Sequence, residues 1–322
     1  MRDSVGIDVS QQTLDAAAII GGCVVYADTV SNNQAGFKTL KAWLESLNSP
    51  DLHICMEATG VYYEEVADYL AADYPVTVVN PLKISGYAKS RFHRTKTDKQ
   101  DARLIAEYGH TALKQDLPIR QTVTKTHYRL KRLLSLYNQL KVQHAAEQNR
   151  LKVAKDNFVK SIHRELIETY AKKKKAVRKE IEAVTKEEAR IKKLTKRMET
   201  IPSVGKLTAA ALTNYLLSGD FDNVNKFIAF AGLNPQAKQS GTSVNGRQKL
   251  TRYGNRRLRG SLFMSAMVAY REGYFSQLVA NLKKRHKSPM VILVAIMKKL
   301  AVIAYTLFKK ETDFDPGRYA AG

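Results

Sequence analysis

Val5-Gly6-Ile7-Asp8-Val9-Ser10 alternates large apolar residues with small or polar ones, the pattern of a β-strand. Strand geometry sends Val5, Ile7 and Val9 to one face and Gly6, Asp8 and Ser10 to the other, so an acid shares the second face with a glycine. Working outward, residues 14–20 and 23–27 read as two further strands joined by the turn Gly21-Gly22. Phe37, Leu40, Leu44 and Leu47 then recur at helical spacing after the loop Ser31-Asn32-Asn33. Residues 52–57 read as a fourth strand, 61–72 as a helix, and 76–80 as a fifth strand stopped by Pro81. A helix over 98–110 closes the region. The order βββ–α–β–α–β–α is that of the RNase H-like fold, a mixed sheet with helices on its faces.

From 122 to 200 the chain holds no Pro or Gly and is dense in charge. Leu130, Leu133, Leu134, Tyr137 and Leu140 mark one long helix, and Ile181, Val184, Ile191 and Leu194 mark another. This pair reads as an antiparallel or intermolecular coiled coil. Beyond Pro202 the chain is mainly helical, with candidates at 209–217, 226–231, 256–270 and 290–308, and a loop rich in Gly, Ser, Asn and cations at 236–255. The expected fold class is thus α/β plus α: an RNase H-like domain over 1–118, coiled-coil helices over 119–199, and a helical domain over 200–322.

Charge divides the same way. Residues 1–119 carry 11 Lys/Arg against 15 Asp/Glu, residues 120–200 carry 23 against 9, and residues 201–322 carry 19 against 6. Two strongly basic thirds in a chain of net charge +23 suit a polyanionic partner, because each neutralised phosphate releases counterions. Cys23 and Cys55 are too few for a disulfide framework and sit in apolar runs, so buried free thiols in a reducing cytoplasm are expected. No signal-peptide pattern opens the chain. The most apolar run, 290–308, carries Lys298 and Lys299 at its centre, which favours a core helix over a membrane span.

Three segments of the first region place acids where a core would exclude them. Asp8 lies opposite the apolar set of the first strand, and Glu57 lies opposite Leu52, Ile54 and Met56 at the end of the fourth. Asp98 and Asp101 stand three residues apart on one helix face, which continues into Ala102, Ile105 and Tyr108, while Lys99, Arg103 and Glu107 form the solvent side. Asp98 alone also fits a helix N-cap. Carboxylates about 4 Å apart repel by roughly 4 kcal/mol per pair at an effective dielectric of 20, a penalty that divalent cations remove. An all-oxygen donor set suits Mg²⁺ or Mn²⁺, and two such ions can clamp the attacking and leaving oxygens of a phosphodiester. Sugar-kinase-like ATPases share a Gly-Ile-Asp strand but need a second Asp-x-Gly phosphate loop, and here that pattern occurs only at Asp315-Pro316-Gly317 in the tail.

Between 238 and 259 stand Lys238, Arg247, Lys249, Arg252, Arg256, Arg257 and Arg259, with no acid. Within this basic run lies Gln239-Ser240-Gly241-Thr242-Ser243, where a serine on glycine-softened backbone could approach a phosphate closely. On chemistry alone a plain backbone-binding loop is the more usual reading of such a Ser/Gly-rich basic stretch. Upstream, Ile201-Pro202-Ser203-Val204-Gly205-Lys206 is similar to the hairpin of helix-hairpin-helix modules, which offers N–H groups to phosphates.

In order along the chain, G-I-D-V-S, C-M-E-A-T-G, T-K-T-D-K-Q-D-A-R, I-P-S-V-G, F-A-G-L-N-P, Q-S-G and Y-G-N-R-R-L-R resemble the motifs of the Piv-type DEDD insertion-sequence transposases. The resemblance implies that Asp8, Glu57, Asp98 and Asp101 are the metal ligands of a RuvC-like domain, with Mg²⁺ or Mn²⁺, two ions, as cofactor. It implies that Ser240 is the nucleophile joined to DNA, with Ser243 as the fallback. It implies DNA and a bridge RNA as partners, a homo-oligomer that is a dimer or a dimer of dimers, and no membrane. Because Ser240 lies far from the acids in sequence, the active site is expected to be composite. A structure-specific nuclease without serine chemistry and a non-catalytic nucleic-acid binder are the two alternatives.

Overall fold

The computed structural model describes residues 3–58, 60–91, 97–112, 119, 123–219, 221–240, 244–250 and 254–319. Two compact units divide the chain, Met1–Val123 and Thr124–Gly322.

In the first unit, β1 (Ser4–Val9), β2 (Thr13–Ile20) and β3 (Cys23–Tyr26) form an antiparallel meander, and the short β4 (Val30–Ser31) pairs with β2. Asn33 caps α1 (Gln34–Ser46) by accepting from the Ala35 and Gly36 amides. β5 (His53–Glu57), α2 (Tyr63–Leu70) and β6 (Val76–Val79) follow, and both new strands join in parallel, giving the order β3-β2-β1-β5-β6. Helices α3 (Pro81–Ser90) and α4 (Asp98–Ala112) complete the unit. The alternation expected for β1 holds. Val5, Ile7 and Val9 enter a core with Phe37, Leu40 and Leu44 of α1 and Val66 and Leu70 of α2. On the opposite face Cys55 and Val79 pack with Ile84 of α3 and Leu104 and Ile105 of α4. The sheet therefore lies between two helical layers.

The second unit opens with α5 (Lys125–Val153) and α6 (Asn157–Glu187). These two run antiparallel, because Arg129 near the start of α5 pairs with Glu180 and Glu187 near the end of α6, while Glu147 meets His163 at the far end. Asp156 caps α6 at the break between the two helices that the sequence reading expected. A second break at Glu188 (φ −118°, ψ 129°) sets off α7 (Ala189–Glu199), so three helices stand where two were expected. Leu130, Leu134, Ile181, Val184 and Ile191 pack together with Ala210 and Ala211 of α8 (Lys206–Ser218). Next come α9 (Val224–Phe230), the antiparallel hairpin β7 (Pro235–Ser240) and β8 (Val244–Leu250), α10 (Arg256–Arg271), α11 (Ser276–Lys284), α12 (Pro289–Lys310) and α13 (Pro316–Tyr319).

Among the described residues α12 alone is long and apolar enough to cross a membrane, yet Ile292, Ile296, Met297, Leu300 and Ile303 lie in the core with α7–α10, as expected for a core helix. Three expectations need correction. Cys23 is exposed, because it ends a turn on the outer strand β3, while Cys55 is buried as expected. Helices α3 and α11 were not foreseen. The run at 236–255 is no open loop but carries a hairpin with a register shift between Gln236 and Lys238.

Candidate active site

Asp8 stands near the C-terminal end of β1 on the face that α4 covers. Gly6 sets that contact. A Cβ on Gly6 would lie 2.1 Å from the Ala102 carbonyl oxygen and 2.2 Å from the Ala106 nitrogen, so only a glycine lets α4 lie this close. Ser4 Oγ donates to the Ala106 carbonyl at 2.5 Å, and Gly109 faces Cys55 Sγ with the same lack of room. Helix and strand thus run antiparallel with a simple step. Two strand residues advance about 6.6 Å and four helical residues about 6 Å. Ser4 therefore matches Ala106 and Gly109, Gly6 matches Ala102, and Asp8 falls level with Asp98 and Asp101. β5 brings the fourth acid: its parallel register pairs Ile7 with Met56, which puts Glu57 beside Asp8 one step on.

The electrostatics agree with that placement. The Asp8 carboxyl is pushed up to about 6, first by burial, then by the charges of Asp101 and Asp98 and, more weakly, of Glu57; the Val9 amide, donating to Asp8 Oδ1 at 3.1 Å, opposes the shift. Glu57, Asp98 and Asp101 are therefore each within electrostatic reach of Asp8. Asp101 and Glu57 are half-buried and Asp98 is exposed. The Asp98 cap alternative is set aside, because Thr97 takes that position: its Oγ1 accepts from the Gln100 amide at 3.3 Å and its carbonyl from the Asp101 amide at 2.8 Å. Among the described residues no three His, Cys, Asp or Glu side chains already stand in ligating geometry. The donor set still fits a hard divalent cation, since it is all carboxylate and the charge of its central member is disfavoured by burial and by its like-charged neighbours, a cost a cation offsets.

One acid escaped the sequence reading. Asp15 lies directly opposite Asp8 in the β1–β2 ladder, is 7% exposed, and accepts from Thr29 Oγ1 at 2.6 Å. The alternation Leu14, Ala16, Ala18 already assigned Asp15 to the Asp8 face.

In the second unit Ser240 is the last residue of β7 and pairs in register with Val244, at the tip of the hairpin. Ser243 and Arg252 lie outside the described residues. Lys238 pairs with Gly246, Arg247 lies between that pair and Lys249, and Lys249 pairs with Gln236, so the three cations belong to the hairpin. Arg256 and Arg257 are exposed on the first turn of α10, and Arg259 is half-buried with its Nη1 buried and unpartnered among the described residues. The start of α10 is pinned by a feature the motif reading left unexplained. A Cβ on Gly254 (φ +154°) would lie 2.4 Å from Gly232 Cα, and the Asn255 amide donates to the Phe230 carbonyl at 2.7 Å. Asn255 Oδ1 in turn caps the helix by accepting from the Leu258 amide at 2.9 Å.

Residues 5–158 match a DEDD transposase family of the IS110 type, and residues 195–279 match the transposase IS116/IS110/IS902 family. The chain is 32% identical over 317 residues to the pilin gene-inverting protein of Moraxella bovis, covering 97% of each chain. The protein of the same description from Moraxella lacunata matches to the same extent.

Proposed function

The chain belongs to the IS110-type DEDD transposases, enzymes acting on DNA, and from that premise we propose that it cuts and rejoins DNA with a four-carboxylate metal site and a nucleophilic serine. The observation that carries this reading is the register of β1 with β5 and with α4, which sets Glu57, Asp98 and Asp101 toward Asp8, whose carboxyl is raised by burial and then by their charges. The strand order of the first unit and the helix over its acidic face support an RNase H-like, RuvC-like assignment.

Asp8, Glu57, Asp98 and Asp101 would hold Mg²⁺ or Mn²⁺, two ions in our reading. When bound, such ions polarise a scissile phosphate and offset its charge. The register of β1, β5 and α4 would keep the four acids and, through the ions they would hold, the phosphate, in one position. Ser240 supplies the covalent step. Its Oγ forms a bond to phosphorus as the bond to one deoxyribose oxygen breaks, and the hydroxyl proton is passed on while the leaving oxygen takes one up. Attack by the hydroxyl of another strand reverses the step, restores a phosphodiester and frees the serine. Bond count and oxidation state are unchanged, so no external energy source is required. Lys238, Arg247, Lys249, Arg252, Arg256, Arg257 and Arg259 hold nucleic acid through its phosphates.

A bridge RNA as guide, assembly as a dimer or a dimer of dimers, and a cytoplasmic setting complete the proposal. The name of the Moraxella relatives adds that strand exchange of this kind can serve inversion as well as transposition. The test is to incubate protein, Mg²⁺, element-end DNA and the element's RNA, then seek a protein–DNA adduct under denaturing conditions. The adduct is expected in the wild type and absent in Ser240→Ala. Adduct that persists in Ser240→Ala and vanishes in Ser243→Ala moves the nucleophile. Metal-dependent hydrolysis with no adduct overturns the serine chemistry.

A further inference from the structure

A cavity of about 370 Å³ opens between α5, α8 and α10 inside the second unit. Its walls carry Lys131 and Ser135 from α5, Tyr215 from α8, and Asn255, Arg256 and Arg257 from the start of α10. Lys131 and Ser135 are i and i+4, so they share the helix face above Leu134. Arg257 Nη1 reaches across to donate to Ser135 Oγ at 2.9 Å, which fixes the guanidinium at the rim. Both Arg257 and Lys131 lie close enough to Tyr215 to act on its phenol electrostatically. Three cations therefore converge on one recess, and among its described lining residues there is no acid. α10 also begins here, so the positive end of its dipole lies at the recess.

We propose that this recess is a seat for one nucleic-acid phosphodiester, held by Lys131, Arg256 and Arg257. Convergent like charges in a concave site attract an anion, and the volume admits a phosphate with its sugar against Tyr215. The close approach of Gly254 to Gly232 and the Asn255 amide bond to the Phe230 carbonyl pin the start of α10, and with it this wall of the seat. Phosphate contacts of this sort set the register of a bound strand rather than its sequence. Lys131, which motif reading does not single out, becomes a positioning residue for the bound strand. The inference rests on the reading that the chain acts on nucleic acid.

The test measures binding of the full chain to a 20-bp DNA duplex and to a single-stranded RNA oligonucleotide across a salt series. Lys131→Gln should weaken binding about eightfold at 0.1 M salt and reduce the slope of log K against log salt by about 0.9 on the duplex, or about 0.7 on the single strand. Arg257→Gln should do the same, and Lys131→Arg should restore the wild-type slope. If Lys131→Gln fails to fold, judged by circular dichroism, Lys131→Ala decides. A reduced slope on DNA alone, on RNA alone or on both supports the seat and names the polymer it holds. An unchanged slope in folded Lys131→Gln, with wild-type protein binding well, overturns the seat whatever Arg257→Gln does; a slope still lowered by Arg257→Gln leaves the functional reading standing, and one lowered by neither variant removes Arg257 from its phosphate contacts as well. Wild-type protein that binds neither polymer overturns both.

Discussion

Replacing Asp8 by asparagine should stabilise the metal-free protein. The Asp8 carboxyl is raised from 3.8 to about 6 by burial and by Asp101, Asp98 and Glu57. A group whose folded pKa is raised contributes stability that is fully present below the unfolded value and is lost as pH rises through the folded one. At pH 7 Asp8 is ionised against its surroundings, at a cost of about 3 kcal/mol by the pKa difference alone. Asp8 keeps solvent contact, so screening cuts this to about 1–2 kcal/mol. The amide side chain would keep the acceptor for the Val9 N–H and shed the charge. Asp8→Asn should therefore slow amide exchange in β1 and α4 by about 5- to 30-fold at pH 7 without divalent metal, and by little at pH 4. Saturating Mg²⁺ should protect the wild type and not the variant, shrinking or reversing the gap. Exchange measured at both pH values, with and without Mg²⁺, checks this. Equal or faster exchange in Asp8→Asn at pH 7 without metal, or a gap that ignores pH, refutes the electrostatic account.

Gly6→Ala should cost about 3 kcal/mol or more, because the new methyl meets the backbone of α4 rather than a pliable side chain; urea unfolding followed by exchange in β1 and α4 should show a lower midpoint there. Gly254→Ala should loosen the start of α10 by the same cause at Gly232, read as faster exchange of the Leu258 and Arg259 amides. Burial pushes the Cys55 thiol up to about 12, whereas Cys23 is exposed, so an alkylating reagent at pH 8 should label only Cys23 in the native protein and both after denaturation.

Much of the acidic site was legible because it rests on periodicity. The alternation at 5–10 and the i, i+3 spacing of Asp98 and Asp101 each assign a face from local geometry alone; the structure keeps the strand face and packs Ala102 and Ile105 as expected, but leaves Asp98 at the helix start exposed. The register joining them was not legible, since it depends on how closely α4 approaches β1, which Gly6 and Gly109 permit. Asp15 was hidden in plain alternation, and no motif drew attention to it. Helix α3 was missed because Pro81 was read as a stop, although Asn80 accepts from the Leu82 amide and proline suits the first helical turn. The breaks at Asp156 and Glu188 carry no Pro or Gly, so composition could not place them. The hairpin around Ser240 is polar along both strands, which removes the apolar alternation that marks a strand.

Binding of Mn²⁺ to the full-length protein, followed by the loss of the free-ion paramagnetic resonance signal, tests the shared acidic centre most directly. Uptake by the wild type, weakened at least about tenfold in each of Asp8→Asn, Glu57→Gln, Asp98→Asn and Asp101→Asn, is the predicted result. Uptake that is unchanged in all four variants would contradict a common site for these side chains.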